Sequence, residues 1–387
     1  MLFLLRNLKI RLTKLSKFFL QLSYLILYSL SPDMILKKIS WFAVSIIKLF
    51  ITLFIQTEIA HSVETYNKYF ANEKGILSIM YHRFNESKYP STNIQMDIFQ
   101  EHINSIDKSG YKFLNPSNFS KIFFEEKSSK KILLTIDDGY MSFYENAWPY
   151  LKKNKIPFLI FISTQAVGKP GYMNWKQIKD IENYDFVSIG NHSHSHDYLV
   201  NFNFEKFKKD INKSIEIFKS NLGYNPIFFS YPFGEWDSNQ KDFISKNFEF
   251  AFGQHSGVID LNKDKFELPR FPINEQYGDL ERFKFLINLL PLQYKKILPD
   301  NKMIEDNNPP EMMVDFFDEQ KIDNINCFSN EGNGWDNSIL KIENNILKVV
   351  FRDKFNTRRG RINCSLNDSD GWRWFGIQFV IKNIKDN

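Results

Sequence analysis

Short apolar runs alternate with amphipathic stretches between about residues 75 and 257. The apolar runs of strand length are Ile76–Met80, Ile132–Ile136, Phe158–Ile162, Phe186–Ile189, Ile227–Ser230 and Phe248–Phe252. The stretches with helical periodicity are Phe99–Ile106, Phe143–Lys153, Trp175–Ile181, Phe204–Leu222 and Asn239–Asn247. Alternating strands and helices predict an α/β fold with a parallel sheet or barrel and the helices outside. A weaker run near Tyr111–Leu114 brings the strand count close to that of a seven-stranded barrel.

The pattern changes towards the carboxyl terminus. Leu280–Ile297 predicts a closing helix, so we place the barrel domain at residues 75–298. The polar, proline-containing segment 299–311 is predicted to be a linker. Beyond it, residues 312–387 alternate short strands with Gly and Asn turns, which predicts a small all-β, sandwich-like module.

Residues 1–62 form a leader of different character. Its more apolar patch, Trp41–Gln56, contains Lys48, and a charge near the middle of a membrane span is costly. Read from Met34, a basic segment, an apolar stretch and Ala60-His61-Ser62 follow in the order of a signal peptide. We interpret the leader as an export signal, which predicts a periplasmic, cell-envelope or secreted protein. The alternative is an uncleaved anchor that associates the protein with the inner membrane.

Composition narrows the class of protein. The chain has 387 residues, 43% of them apolar, and a net charge of +5 from 50 basic and 45 acidic residues. Basic and acidic residues are nearly equal in number, and the sequence has no stretch in which Lys and Arg cluster with aromatic residues. Both features argue against a nucleic-acid partner. The only cysteines, Cys327 and Cys364, exclude a four-thiolate zinc site. In an oxidising compartment they could pair.

Three short motifs each follow a predicted strand. They are Thr135-Ile136-Asp137-Asp138-Gly139, His192-Ser193-His194-Ser195-His196 and Tyr231-Pro232-Phe233-Gly234. Taken singly, each has an ordinary structural interpretation, as a tight turn, a solvated histidine cluster or a rigid aromatic turn. In a barrel, however, the loops at the carboxyl ends of the strands meet at one rim. The three motifs together therefore predict one site.

The residue types in these motifs favour a catalytic metal site. Asp138, His192 and His196 would supply one carboxylate and two imidazoles, a three-ligand set that leaves coordination positions open. If Asp138 binds the metal, Asp137 stays free to act as a general base towards a metal-bound water.

The ordered motifs resemble those of the polysaccharide deacetylase (NodB-homology) family, the family 4 carbohydrate esterases, over about residues 75–273. The resemblance implies a deformed (β/α)7 barrel and a divalent metal, commonly zinc. It implies a hydrolase of linear amide C–N bonds, which releases acetate from an acetylated, N-acetylhexosamine-containing polysaccharide. Carried over residue by residue, it makes Asp137 the base and Asp138, His192 and His196 the ligands. Phe233 would offer its backbone N–H to the oxyanion.

Two departures from the family pattern lead to further predictions. The third motif usually begins with Arg, but Ser230 and Tyr231 stand here, so we predict that Arg270 tunes the base instead. For the general acid we prefer His82, because Met-Tyr-His-Arg-Phe resembles the early histidine motif of the circularly permuted poly-N-acetylglucosamine deacetylase branch. His255 also follows an apolar run and is the second choice.

The remaining histidines fit other roles. His61 lies in the leader, His102 in an amphipathic helix, and His194 at a position of its motif that carries no ligand. On a predicted strand, Trp372 and Trp374 share one face and Phe375 lies on the other, which fits either sugar stacking or sandwich packing.

Two rival functions remain open at this stage. One is a metal-dependent amidase or esterase that acts on a non-sugar substrate. The other is a non-catalytic glycan-binding or assembly protein on the same scaffold.

Overall fold

A computed structural model describes residues 74–124, 130–260, 263–318 and 320–382. The predicted leader, residues 1–62, lies outside them. Tyr69–Asn387 forms one compact unit. No helix of the described residues combines the length and the hydropathy needed to cross a bilayer.

The amino-terminal two thirds of this unit is α/β. Its strands are Ile76–Tyr81 (β1), Arg83–Phe84 (β2), Asn93–Ile94 (β3), Lys112–Phe113 (β4), Lys131–Ile136 (β5), Phe158–Ile162 (β6), Val187–Asn191 (β7), Phe228–Ser230 (β8), Phe250–Phe252 (β9), Val258–Ile259 (β10) and Phe271–Pro272 (β11). Its α-helices are Met96–Lys108 (α1), Phe119–Phe124 (α2), Trp148–Asn154 (α3), Trp175–Glu182 (α4), Phe204–Leu222 (α5), Ser238–Ser245 (α6) and Leu280–Ile287 (α7). One π-helical turn, Phe143–Ala147, precedes α3.

The main sheet is parallel and curls towards closure. Strands β1, β5, β6, β7, β8 and β9 are hydrogen-bonded in that order, and β11 pairs in parallel with the outer side of β1. Upstream of β11, Leu268 forms a parallel bridge to Phe252 of β9. The segment from Leu268 to Pro272 therefore contacts both edges of the sheet. The predicted α/β class with a deformed (β/α)7 barrel is confirmed.

The local sequence explains why these elements form. β6 reads Phe-Leu-Ile-Phe-Ile and every residue is buried, as expected for a parallel strand covered on both faces. Helix α5 has the predicted limits because the Asn203 side chain accepts from the Lys206 N–H at its start. Gly223, with φ +85°, ends it in the left-handed conformation that glycine adopts most easily.

The carboxyl-terminal region consists of two sheets in which most neighbouring strands are antiparallel. Its strands are Leu290–Pro291 (β12), Lys296–Leu298 (β13), Met303–Ile304 (β14), Met312–Asp315 (β15), Asn326–Asn330 (β16), Asp336–Asn337 (β17), Ile339–Glu343 (β18), Ile346–Val350 (β19), Arg359–Asp368 (β20) and Gly371–Ile381 (β21). One sheet has the order β12-β21-β20-β16-β17, with β14 also on β21, and the other β13-β15-β19-β18. Val314, Leu347, Ile362 and Phe379 belong to the core that the sheets share. We call this region the β-sandwich.

The structure differs from the sequence analysis around residue 290. The predicted helix at 280–297 ends at Ile287, because β12 pairs with β21 and β13 pairs with β15. The segment 299–311, predicted to be a linker, contributes β14 to the sandwich. The alternating apolar residues of this stretch fill the sandwich core, and this tertiary pairing overrides a helical pattern that is only local.

Candidate metal centre

The Asp-Asp turn begins where β5 ends at the rim of the barrel. The Asp137 N–H donates to the Tyr81 carbonyl at 2.9 Å, so strand pairing continues one residue beyond β5. Asp138 then adopts φ +73° and Gly139 φ +71°. A Cβ atom at Gly139 would lie 2.7 Å from the Ile162 side chain, so only glycine fits here without a shift. The left-handed turn gives the two carboxylates different surroundings.

Asp138, His192 and His196 converge on one point. Asp138 Oδ1 lies 3.4 Å from His192 Nε2 and 3.1 Å from His196 Nε2. The two Nε2 atoms are 3.2 Å apart. Asp138 Oδ1 is fully buried, yet it has no hydrogen-bond partner of acceptable geometry among the described residues. These three residues are the group in the described part of the chain whose donor atoms could hold a metal ion.

Hydrogen bonds from the loops fix both imidazoles. His192 Nδ1 donates to the Ser230 carbonyl at 2.7 Å, which leaves its Nε2 lone pair directed at the converging point. The His196 N–H donates to Ser193 Oγ at 3.0 Å. Ser193 and His196 have φ +66° and +56°, so the loop turns sharply enough to bring the second imidazole back to the first.

This donor set fits a divalent metal such as zinc. Ligand atoms that each lie about 2.0–2.1 Å from a tetrahedrally bound zinc are about 3.3 Å from one another, which matches the three distances above. Burial lowers the pKa of His192 to about 4, so this imidazole is neutral and can donate its lone pair. Burial raises the pKa of Asp138, but its electrostatic interaction with His196 reverses that effect and keeps the carboxylate ionised.

Asp137 has a separate partner. Arg270 donates two parallel hydrogen bonds to its carboxylate, Nη1 to Oδ1 at 2.6 Å and Nη2 to Oδ2 at 2.8 Å. Both side chains are completely buried. Nη2 also donates to Ser230 Oγ and Nε to the Gly253 carbonyl, so the guanidinium is held from several sides. Burial alone would raise the pKa of Asp137. The positive charge of Arg270 outweighs this effect of burial and holds the pKa below 3.8.

The two candidate general acids occupy different positions. His82 follows β1 directly, and β1 pairs with β5 so that Tyr81 lies opposite Ile136. The Asp137 N–H donates to the carbonyl of Tyr81, the residue before His82, so His82 enters the rim at the Asp-Asp turn. His255 follows β9, and its carbonyl accepts from the Arg270 N–H. Burial lowers the pKa of His255 to about 4.

The Phe233 loop forms the opposite side of the site. Phe233 has φ +60°, and its ring centroid is 4.2 Å from that of Tyr198 and 4.9 Å from that of His196. Gln378, on strand β21 of the sandwich, donates from Nε2 to the Phe233 carbonyl at 2.9 Å and to the Gly234 carbonyl at 3.2 Å. The sandwich is therefore in direct contact with the rim.

Comparison with known proteins identifies the domain that carries this site. The sequence model of the family described as polysaccharide deacetylase matches residues 124–249, which include Asp137, Asp138, His192, His196 and Phe233. The chain contains a polysaccharide deacetylase domain. The predicted family and the hydrolase class are confirmed.

Curated relatives of the deacetylase domain extend the match. The putative polysaccharide deacetylase YxkH of Bacillus subtilis is 26% identical over 199 residues, which are 51% of this chain and 70% of that protein. The poly-beta-1,6-N-acetyl-D-glucosamine N-deacetylase of Staphylococcus aureus is 23% identical over 52% of this chain and 80% of that protein. Among solved structures, the Streptococcus pyogenes deacetylase PplD in complex with acetate superposes with a TM-score of 0.50 at 21% identity, over 54% of this chain and 96% of that one. The last match supports the fold of the deacetylase domain.

Several residues around the deacetylase site were not found from the sequence. Ser230 accepts from His192 through its carbonyl and from Arg270 through its hydroxyl, and its place before the Pro-Phe-Gly motif was the available signal. Burial and the nearby Asp138 charge raise the pKa of Tyr140, which directly follows the Asp-Asp-Gly turn. Gln378 lies far along the chain in the sandwich, and no sequence signal pointed to it.

The other histidines of the deacetylase domain lie apart from the converging point. Tyr81 donates from its hydroxyl to His102 Nδ1, and His102 Nε2 donates to the Gly278 carbonyl, so His102 supports helix packing. His194 Nδ1 shares a hydrogen bond with the Thr164 hydroxyl.

Proposed function

We propose that this protein removes N-acetyl groups from an N-acetylglucosamine-containing polysaccharide and releases acetate. One observation carries the proposal. An Asp-His-His triad, with Asp138 and His192 buried and His196 half-buried, lies next to a second carboxylate, Asp137, that is held ionised by Arg270. This is the pairing of a catalytic metal site with a general base that hydrolysis of an amide requires. The N-acetylglucosamine substrate named for the Staphylococcus aureus relative favours the sugar polymer over a non-sugar amide.

We infer that Asp138, His192 and His196 hold the metal, with zinc as the candidate. When bound there, the ion would polarise the acetamide carbonyl and lower the pKa of a water molecule. The second coordination shell supports this assignment, because the Ser230 carbonyl fixes the His192 tautomer.

The other side chains would handle the protons and the developing charge. Asp137 accepts the proton of the attacking water, and Arg270 keeps that carboxylate ionised and immobile. His82, which directly follows the residue that pairs with Asp137, delivers a proton to the departing amine. The Phe233 N–H stabilises the oxyanion, an interaction that contributes about 3–4 kcal/mol per donor in other enzymes.

We further propose that the protein acts outside the cytoplasm. Cys327 and Cys364 lie directly opposite each other on β16 and β20 and form a disulfide. Disulfides persist in oxidising compartments, which agrees with the export signal inferred for residues 1–62. Retention through an uncleaved leader remains the alternative, and amino-terminal sequencing of the protein recovered from its native host distinguishes the two.

The test is acetate release from β-1,6-linked N-acetylglucosamine oligomers by the purified protein, measured together with its metal content. Wild type should bind one divalent metal per chain and release acetate. Asp137→Asn should keep the metal and lose most turnover, because the amide cannot accept the proton. Asp197→Asn, an exposed carboxylate one residue after His196, is the matched control and should behave as wild type.

Two results would contradict the proposal. A wild-type protein that binds metal but hydrolyses only small non-sugar amides would identify an amidase of a different substrate class. A protein that binds the oligomers without turnover would identify a glycan-binding protein.

A further inference from the structure

A cavity of about 200 Å³ lies between the barrel and the β-sandwich. The loops after β9 and β11 contribute Gln254, His255 and Tyr277 to its lining, and the sandwich contributes Trp335 and Trp374. These loops follow the carboxyl ends of their strands, as the Asp137, His192 and Phe233 loops do. The cavity therefore shares the rim that carries the metal triad.

One contact and one chain neighbour connect the cavity lining to the proposed catalytic residues. Gln254 packs so closely on the Phe233 loop that a Cβ atom at Gly234 would lie 2.6 Å from its backbone nitrogen. Phe271, which also lines the cavity, follows Arg270, the partner of Asp137. A polymer bound at the metal site could thus continue into the cavity without leaving the protein surface.

The chemistry of the lining suits a sugar ring. Trp335 is 43% exposed and offers an aromatic surface, while Trp374 is half-buried. Trp374 Nε1 donates to Ser256 Oγ at 3.0 Å, and that hydroxyl donates to Asn363 Oδ1 at 2.6 Å, so the aromatic wall is held by a polar network. Aromatic surface beside a few fixed polar groups is typical of small-molecule sites.

The cavity also carries positive charge. Arg282 and Arg361 line it, and none of its described lining residues is Asp or Glu. Arg282 Nη1 donates to the Tyr277 carbonyl at 2.6 Å, which fixes the guanidinium at the wall. A cationic group would be repelled here, whereas a neutral acetamido group would not.

We propose that this cavity is a substrate subsite for a neutral, N-acetylated sugar unit next to the unit being deacetylated. The inference rests on the proposed function and adds a selection rule to it. A neighbouring unit that has already lost its acetyl group presents an amine, which takes up a proton and is disfavoured by Arg282 and Arg361. The enzyme would then leave acetylated units between deacetylated ones.

The first experiment compares two equally exposed tryptophans of the sandwich. Trp335 lines the cavity, whereas Trp372, also 43% exposed, packs against Phe285 outside it. The kcat/KM for acetate release is measured on N-acetylglucosamine and on its β-1,6-linked oligomers up to the hexamer. Trp335→Ala should lower kcat/KM about three- to tenfold on the oligomers, because one aromatic contact is lost, and leave the monomer unchanged. Trp372→Ala should match wild type at every length.

The outcomes separate the subsite from the proposed function. Suppose that wild type is active. If kcat/KM of Trp335→Ala then depends on oligomer length as in wild type, or if Trp335→Ala and Trp372→Ala lose activity equally, the proposed subsite is wrong and the proposed function stands. If wild type releases no acetate from any oligomer, the proposed function and the proposed subsite are both wrong.

The second experiment tests the charge selection. Wild type should prefer a fully acetylated pentamer over one with a single glucosamine unit next to the cleaved acetamide, at a pH where that amine is protonated. Arg282→Gln should reduce this preference. Arg361→Gln provides a second variant if the first folds poorly, as judged by thermal unfolding. Equal kcat/KM of wild type for the two pentamers, or an unchanged preference in both variants, would overturn the selection rule.

Discussion

Asp137 and Asp138 are adjacent in sequence but have different main partners. Asp137 is buried against the Arg270 guanidinium, and Asp138 faces His192 and His196. The left-handed conformation at Asp138 separates them, since an extended backbone would continue the strand. Two identical side chains thus acquire different roles from their surroundings alone, one as a proton acceptor and one as a metal ligand.

Replacing Arg270 tests the electrostatic part of this arrangement. In Arg270→Gln, the largest influence that opposes burial of Asp137 is removed, so the pKa of Asp137 should rise. A general base must be deprotonated, and the acidic limb of the kcat/KM–pH profile should therefore move to higher pH. The free energy of unfolding should fall by about 3–5 kcal/mol, because a buried carboxylate loses its partner. A pH–rate profile and a denaturant titration measure the two effects.

Arg352→Gln is the matched control for that variant. Arg352 also pairs with a carboxylate, Glu331, but in the sandwich. Its loss should leave the acidic limb in place. An unshifted acidic limb in Arg270→Gln would mean that Arg270 does not tune the base.

The choice between His82 and His255 can be decided at the same scale. His82→Ala should lower kcat by about 10²- to 10⁴-fold, the usual contribution of a general acid. Its metal content should equal that of wild type, because His82 is not in the triad. His255→Ala should affect kcat much less. Steady-state kinetics with metal analysis measure both variants, and the opposite ranking would assign the proton donor to His255.

At the scale of elements, the site depends on loops whose conformation is costly. Phe233 and Gly234 both have positive φ, and such a backbone costs about 1–3 kcal/mol for a non-glycine residue unless its surroundings hold it. Strand β21 provides Gln378 for the two carbonyls of this turn. On the far side of the turn, Arg358 donates to the buried carboxylate of Glu235. The sandwich thus holds the loop that would stabilise the oxyanion.

Removing the Gln378 contact should reduce catalysis without removing the metal. Gln378→Leu leaves two buried carbonyls without this donor, and we expect kcat to fall about tenfold as the loop shifts. KM should change less than kcat, since the contact acts on the oxyanion donor. Gln320→Leu is the control, because Gln320 is equally buried in the sandwich and its side chain donates, among the described residues, to the Lys321 carbonyl and not to the rim. Equal kcat in the two variants would show that the contact of the sandwich with the Phe233 loop does not contribute to the reaction.

At the scale of the whole molecule, barrel and sandwich act as one unit. Gly257 of the barrel forms a bridge with Phe375 of β21, and Arg358 of the sandwich is buried against Glu235 of the barrel. The long strands β20 and β21 therefore have two functions. They contribute side chains to the sandwich core, and they support the catalytic rim. Unfolding of the sandwich should therefore disturb the catalytic site, because these contacts would be lost.

The disulfide provides a test of that coupling. Cys327 and Cys364 are separated by 37 residues, and a crosslink over such a loop is expected to contribute about 4 kcal/mol by chain entropy. Replacing both cysteines with serine should lower the Tm, with acetate release lost at a lower temperature than in wild type. Thermal unfolding followed beside residual activity measures this. Unchanged activity at temperatures where the sandwich has unfolded would show that the two regions are independent.

The sequence alone determined the elements whose formation is local. Strand β6 and helix α5 have their predicted limits, because a continuous apolar run, an Asn cap and a terminal Gly each act within a few residues. It also indicated Asp138, His192 and His196 as ligands, since metal chemistry restricts the residue types and their spacing. The geometry of the described residues brings these three together.

Tertiary structure decided what depends on residues distant in sequence. The segment after Ile287 became strands because β21 and β15 were available to pair with it. The support of Phe233 by Gln378 joins positions 145 residues apart, and the cavity beside Trp335 exists only where two regions meet. A local pattern carries no information about such partners, because the free energy of each contact arises only when the chain has folded and brought both sides together.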